Sequence, residues 1–570
     1  MNENVKVVFG LIGGLALFLY GMNSMSDALQ KAAGEKMKKI LEFLTKNPIM
    51  GALAGALVTA VLQSSSATTV MVIGFVSAGL MSLPQAISVI FGANIGTTMT
   101  AQLMAFKISD YIYPLIFIGF MLNFLGKKEK VKNIGMVIFS FGLLFEGIEI
   151  MGSVMKPLAG SPIFVDLMGK VSSVPVLGVV LGAVMTLVVQ SSSATIAVLQ
   201  NFASQAGPDG VSSVIGLTGA IPILLGDNIG TPITALLASI GQSKNAKRTA
   251  IAHSIFNISG SCVFIFLIPW FAKFVQFISP KGNEVDVISR QIANAHTTFN
   301  IVCTLVWLPL IPLMVKIVTT IIRGDDKVQK TAFEPKYLDM KVVEQPAAAM
   351  VLVSKELNHL SELAESLLTG LKVSLTADKT SETYLHFKEN LEIVQHLQES
   401  VSDYITRLFS SGNLTEQQSE YTAGLLFINN CIQRIAERCV DVDKICMEIS
   451  DSGKVLTKEA SAEMEIDVTS QLLDKAMEAV RHGDSSAAES VFKNKKKMQK
   501  AEKKFNKAHL NRVKNNLCDA SMTGYFSGII YNIDRMADNC VGIAEEACDN
   551  VTFISLDEEA NKTVAEGGAV

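Results

Sequence analysis

Up to about Arg323 the chain is a series of apolar runs, and several reach the roughly 20 residues that a helix needs to cross a bilayer. Val5–Met25, Asn133–Gly152, Thr249–Ala272 and Ile292–Ile322 are examples. A buried soluble helix can be apolar all round, but so many in series rarely occur outside membranes. Beyond Arg323 the composition changes to one dense in Lys, Glu and Asp, and 570 residues are too many for a single core. The expected division is a membrane domain over 1–323, a linker over 324–346, a soluble helical domain over 347–550 and a flexible tail over 551–570. Both domains are expected to be all-α.

Two of the apolar segments are interrupted by polar clusters. Ile49–Leu80 contains Gln63-Ser64-Ser65-Ser66, and Val174–Ala206 contains Gln190-Ser191-Ser192-Ser193. Irregular backbone at membrane depth survives only inside protein or around a watery cavity, so both segments read as re-entrant hairpins. Basic residues crowd three short loops, Lys31 to Lys46, Lys127 to Lys132 and Lys244 to Arg248. Placing all three in the cytoplasm puts the N-terminus outside and delivers Arg323 and the soluble domain to the cytoplasm. The two hairpins then enter from opposite faces of the plasma (inner) membrane, one in a repeat over about 5–126 and one in a repeat over about 133–272. An extra span covers 292–322. Inverted repeats with broken helices near the midplane are the architecture of secondary transporters. The N-terminus has no cleavable signal pattern, so the first span is expected to remain.

Each hairpin motif has a partner in the following span. The first is followed by Gly92-Ala93-Asn94-Ile95-Gly96-Thr97-Thr98, the second by Gly226-Asp227-Asn228-Ile229-Gly230-Thr231-Pro232. A lone Ser-Ser-Ser would mean close helix packing and nothing more. Two ordered copies of Gln plus hydroxyls, each followed by Asn-Ile-Gly-Thr, point to a site. Hydroxyl, amide and carbonyl oxygens coordinate small cations, while hydroxyls and free N–H groups donate to anion oxygens. The glycines flanking Asn94 and Asn228 are expected to let the helix open, assisted in the second copy by Pro232. Residues 49–106 carry no Lys, Arg, Asp or Glu, and 171–243 carry only Asp209 and Asp227. A buried oxyanion there needs compensating charge, and bound cations are its natural source. Asp227 is the main ionisable group of this core and reads as a cation ligand or proton-sensitive residue. His253 and His296, in similar contexts, read as a hydrogen-bonded packing pair.

Other function classes are excluded by what the chain lacks. A net charge of -4 and no concentrated basic face argue against nucleic acid as a partner. No nucleotide-binding Gly-rich loop or nucleophile–base pairing points to an enzyme. The eight cysteines form no C-x-x-C pair and read as buried free thiols, without a cofactor.

These motifs, with His253-Ser254-Ile255-Phe256-Asn257-Ile258-Ser259-Gly260, resemble the type II sodium/phosphate cotransporter family over roughly Val5 to Ile322. The resemblance implies that Gln63, Ser64, Ser65 and Ser66 line a central site for sodium and phosphate with Gln190, Ser191, Ser192 and Ser193. Asn94, Thr97, Asn228 and Thr231 support or share it, and Thr98 and Asp227 complete the candidate set. Sodium ions are the coupling ions under this reading. Asp227 stands where the first repeat has Ala93, so the halves are not equivalent there.

After Arg323, apolar residues at helical spacing mark six helices in two sets of three, separated by turns near 377–379, 412–413, 451–453 and 483–484. Lys493–Lys504 is a charge run that reads as a solvated helix face. The last helix carries Asn532-Ile533-Asp534-Arg535-Met536-Ala537-Asp538-Asn539 and resembles the PhoU family, a regulatory module of phosphate systems whose paired acidic motifs can hold metals. Glu437 in the first set stands at the matching position. Asp534 and Asp538, four apart on one face, suit a shared cation or form a surface acidic pair. The resemblance leaves three functions open: sodium-dependent phosphate uptake, phosphate export by the same fold, and phosphate signalling. A homo-oligomer or a regulatory partner would form through the PhoU-like domain.

Overall fold

The computed structural model describes residues 3–33, 47–106, 108–159, 170–171, 173–207, 209–324, 332–374, 381–454, 458–464, 466–549 and 551–554. The chain divides into two compact units, one from Met1–Lys327 and the other from Val328–Ser555. Most of the basic loop at 31–46, the turn near 377–379 and the tail beyond 554 lie outside the described residues.

In the membrane unit, α1 (Glu3–Ala33) packs along α6 (Glu129–Ala159), which also takes α5 (Ile112–Leu125). Between them run α2 (Pro48–Leu62), α3 (Ser65–Ser77) and α4 (Leu83–Met104). The second half repeats this order with α7 (Pro175–Val189), α8 (Ser192–Ala203), α9 (Gly216–Gly230), α10 (Ile233–Ala238) and α11 (Lys244–Ile278). The last helices are α12 (Glu284–Trp307) and α13 (Ile311–Ile321). Among the described residues four helices are long and apolar enough to cross a membrane, or up to six when two bent pairs are each taken as one span.

This unit has an apolar core and, unlike a soluble protein, also large apolar side chains on its surface. Phe266 and Phe277 are 78% and 77% exposed, while Thr59, Asn94, Asp227, His253, Asn257 and Asn300 are buried. Such a surface is stable only against hydrocarbon, and the buried polar groups mark the working interior. This is a membrane protein.

Two expectations need correction. The span over 292–322 is not one helix: α12 and α13 meet at an 85° bend. Pro309 lies in that break, where it withholds an N–H and crowds the carbonyl of Leu305. Nor does the helix open at Gly92–Gly96, because α4 runs unbroken through the motif. The glycines serve close approach instead. A Cβ on Gly92 would lie 1.8 Å from the Ala52 carbonyl oxygen of α2, and one on Gly226 would lie 2.0 Å from that of Val179 on α7. In the second copy α9 ends at Gly230 and α10 starts at Ile233, but Thr231 and Pro232 between them keep right-handed helical backbone, so the two run on as one span.

The soluble unit holds α14 (Pro346–Ser374), α15 (Glu382–Ser410) and α16 (Glu416–Asp451) as one mutually packed set. After the short α17 (Lys458–Ala462), α18 (Ile466–His482), α19 (Ser485–Lys514) and α20 (Met522–Cys548) form the second. The sets join through α16 against α20 and α14 against α18. The linker and tail boundaries shift inward. Tyr404 donates to the Asp339 carbonyl and the Tyr337 N–H to Glu356, so part of the expected linker belongs to this unit. Val551, Phe553 and Ile554 are buried, and the Phe553 N–H donates to the Val480 carbonyl, so the first residues of the expected tail are packed. Cys431, Cys439, Cys446 and Cys540 are buried free thiols here, and burial pushes Cys431 up to about 12.

Candidate functional site

The polar clusters sit where the chain folds back on itself. Thr59 donates to Thr68 at 2.8 Å across the first break, and the Thr186 and Thr195 hydroxyls lie 3.1 Å apart across the second. Residues nine apart in a continuous helix would be separated by about 13 Å along its axis, so both segments are helical hairpins. The reversal is made by Gln63 (φ 51) and Gln190 (φ 54), both in the left-handed region. Ser64 and Ser191 then cap the second arms, accepting from the N–H groups of Ala67 at 3.1 Å and Ala194 at 3.3 Å. Each turn thus presents a helix N-terminus, with its unpaired N–H groups and partial positive charge, beside hydroxyls and an amide. An anion fits that arrangement.

Side chains from the following helices close over the first turn. Gln63 accepts from Thr100 at 2.9 Å, the Thr97 hydroxyl lies 3.4 Å from Ser65, and Ser66 accepts at 3.0 Å from Thr234 of the second half. A second link between the halves runs from Gln200 on α8 to the Ala101 carbonyl on α4. The second turn is more open. Gln63 is 6% exposed, whereas Gln190 is exposed, Ser191 and Ser192 are half-buried and Ser193 is buried.

Behind the turns, Asn94 bonds the Ile90 carbonyl and lies 3.0 Å from His253 Nε2. Asn228 bonds the Leu224 carbonyl and accepts from Asn300 at 3.4 Å. Thr98 accepts from Thr297 at 3.1 Å, and Thr231 turns back to the Asp227 carbonyl. The histidines are therefore not a pair: His253 binds Asn94, and neither ring nitrogen of His296 has a partner among the described residues.

Asp227 is fully buried. Its Oδ1 accepts from Thr186 at 2.6 Å, while Oδ2 has no partner among the described residues. A buried carboxylate with one oxygen unanswered is a strong acceptor for a cation. Sequence reasoning missed Thr186 and its twin Thr59, although both stand four residues before the glutamines. It also missed Arg290, which donates to the Gln102 side chain at 2.7 Å while Gln102 donates to Thr297. Positive charge thus reaches the end of α4 from α12, outside the segments whose lack of charge drew attention.

The acidic pair of the soluble unit is occupied differently from the metal reading. The buried Lys495 ammonium lies 2.6 Å from Asp534 and 2.6 Å from Asp538, and Arg535 pairs with Asp538 at 2.9 Å. One lysine stands where a shared cation would sit. Glu437 is exposed and accepts from Gln433. Among the described residues no three His, Cys, Asp or Glu side chains converge for a metal.

Twin helical hairpins around buried hydroxyl, amide and carboxylate groups, inside a lipid-facing shell, define a polytopic membrane transporter. The chain belongs to the Na+/Pi-cotransporter family and carries a C-terminal PhoU domain. The family profile matches twice, over 17–153 and 147–278, and the PhoU profile over 465–547. The family is one of transporters, not enzymes. The uncharacterized protein YqeW of Bacillus subtilis (strain 168) is 34% identical over 266 residues, 47% of this chain and 84% of that protein. YjbB of Escherichia coli (strain K12), provisionally named an inorganic phosphate export protein, is 24% identical over 92% of this chain and 94% of its own length. Sodium-dependent phosphate transport protein 2A of Rattus norvegicus is 37% identical over 97 residues, 17% of this chain and 15% of that protein. No solved structure matches.

Proposed function

We propose that the chain moves inorganic phosphate across the plasma (inner) membrane, coupled to sodium, by alternating access between its two hairpins. The observation that carries this reading is Asp227, buried with one oxygen unpartnered among the described residues, beside a hairpin whose helix N-terminus suits an oxyanion. The anion and the carboxylate repel each other unless a cation lies between them, so each stabilises the bound state of the other's counter-ion. Gln63 to Ser66 and Gln190 to Ser193 bind the ions, with Asn94, Thr97, Thr98, Asn228 and Thr231 holding the turns. The hairpins are re-entrant from opposite faces, the N-terminus is outside, and the PhoU domain is cytoplasmic, where it regulates transport according to phosphate.

The test is radiolabelled phosphate flux in proteoliposomes under an imposed sodium gradient. Flux that ignores sodium overturns the coupling. Full flux after Gln63→Ala with Gln190→Ala overturns the site. A second reading, export, is favoured by the relatives that match both units of the chain and are provisionally named exporters. Flux measured with the gradient imposed in each direction separates the two.

A further inference from the structure

Helix α19 carries a lysine stripe that the transport reading leaves unused. Lys493, Lys496, Lys500, Lys503, Lys507 and Lys514 follow one another at steps of three and four, with Leu510 filling the single gap, and Leu517 lies just past the helix end, after Asn516 in the left-handed region. At 3.6 residues per turn the six lysines fall within about a quarter of the helix circumference and extend over about 30 Å. All six are exposed, and among the described residues none has an ion-pair partner. Glu502 is the one acid between Lys493 and Lys514, and it lies off the stripe among Met464, Met498 and Phe505. The opposite face, with Val491, Lys495, Met498 and His509, is buried, and the helix packs on α18 and α20. Packing within the unit therefore does not account for the stripe.

Like charges at i,i+3 and i,i+4 oppose helix formation, and an anionic partner would relieve that repulsion. Two features choose among anionic partners. The unit is tethered by its own chain to a membrane domain, so headgroups are present at high effective concentration. Leu510 and Leu517 are 59% and 69% exposed at the end of the stripe, which suits acyl chains and serves no purpose against a soluble polyanion. We infer that the α19 stripe docks the PhoU domain onto anionic lipid headgroups, with Leu510 and Leu517 entering the interface. The leaflet follows from the cytoplasmic placement proposed above. Docking is a surface reaction of juxtamembrane lysines with acidic lipid, and it weakens with salt.

The experiment uses the full chain in nanodiscs of phosphatidylcholine alone or with phosphatidylglycerol. Lysine acetylation is read residue by residue in the mass spectrometer, and exposed Lys444 on α16 serves as the internal reference. The stripe lysines should react about tenfold more slowly in acidic discs, and 0.5 M salt should restore most of the rate. In the K496Q/K500Q/K503Q/K507Q variant, Lys493 and Lys514 should return to the neutral-disc rate while α20 keeps its hydrogen-exchange protection. L510S/L517S should weaken protection by acidic discs. Equal rates in the two discs overturn the proposal. Protection by added polyphosphate in neutral discs, with none from acidic lipid, gives the stripe to a soluble polyanion and also overturns it. The discs carry the same lipid on both faces and no flux is measured, so the outcome is independent of sidedness and of sodium coupling.

Discussion

The two halves of the membrane unit share a skeleton and differ in what it holds. Both fold back at a glutamine with positive φ, cap the second arm with serine, and join the arms through a threonine pair nine residues apart. Both press a glycine against the backbone of the first arm. Yet Thr59 donates to the neutral Thr68 hydroxyl, in the half that has Ala93 where the other has Asp227, while Thr186 binds a buried carboxylate. The first turn is also covered, by Thr100 of its own half and Thr234 of the other, whereas Gln190 at the second turn is exposed. The repeat therefore supplies geometry twice and charge once. Under the function proposed above, this charge asymmetry would let one half bind a cation that the other does not.

The largest effect is expected where the halves are most alike. Gly92→Ala and Gly226→Ala each drive a methyl group to within about 2 Å of a facing carbonyl oxygen, Ala52 or Val179. Overpacking costs about 1–3 kcal/mol where side chains can yield, and more where the obstacle is backbone. Both variants should lose most of the folded protein, measured by thermal unfolding in detergent. Tolerance at one glycine alone would mean that the two helix pairs are not packed equivalently.

Next comes the site where the halves differ. Asp227→Asn keeps the shape and removes the charge, and should lower sodium-activated flux by about 10–100-fold, the equivalent of about one charged hydrogen bond. Ala93→Asp in that background recreates the carboxylate in the other half. It should recover part of the sodium response if the frame alone positions the cation, and none if the site needs the second half's surroundings.

A smaller contrast separates the two threonines. Thr59→Val removes a neutral hydroxyl bond, at a cost of about 1 kcal/mol. Thr186→Val removes the sole described partner of a buried carboxylate and should cost about 2–3 kcal/mol. Unfolding midpoints compare them directly. Equal losses would show that the Thr186–Asp227 bond carries no more than the Thr59–Thr68 bond does.

Much of this frame was legible because the sequence states it twice. The repeated Gln-Ser-Ser-Ser marks the breaks, and the Asn-Ile-Gly-Thr copies mark the helices behind them. What stayed hidden depended on neighbours. A glycine pair around Asn94 permits either an opened helix or a close approach, and only the position of α2 decides for the latter. Lys495 was one lysine in a charge run. Its departure from the three-four spacing of the stripe was the available sign that it faces inward, to Asp534 and Asp538. Pro309 was visible, but an apolar run long enough to span concealed that it divides the last span.

The smallest predicted effect concerns the turns themselves. A left-handed residue with a side chain costs about 1 kcal/mol relative to glycine, so glycine relieves strain at both Gln63 and Gln190. At Gln63 the gain is offset, because the buried amide accepts from Thr100 and its loss orphans that hydroxyl. At exposed Gln190 no side-chain hydrogen bond among the described residues is lost. Gln190→Gly should therefore raise the unfolding midpoint by a few degrees, about what 1 kcal/mol achieves in a unit of this size, and Gln63→Gly should leave it unchanged or lower. Both should reduce phosphate flux, since each removes a proposed ligand. Stabilisation without loss of flux at Gln190 would leave the second turn a structural reversal only, and confine anion binding to the first.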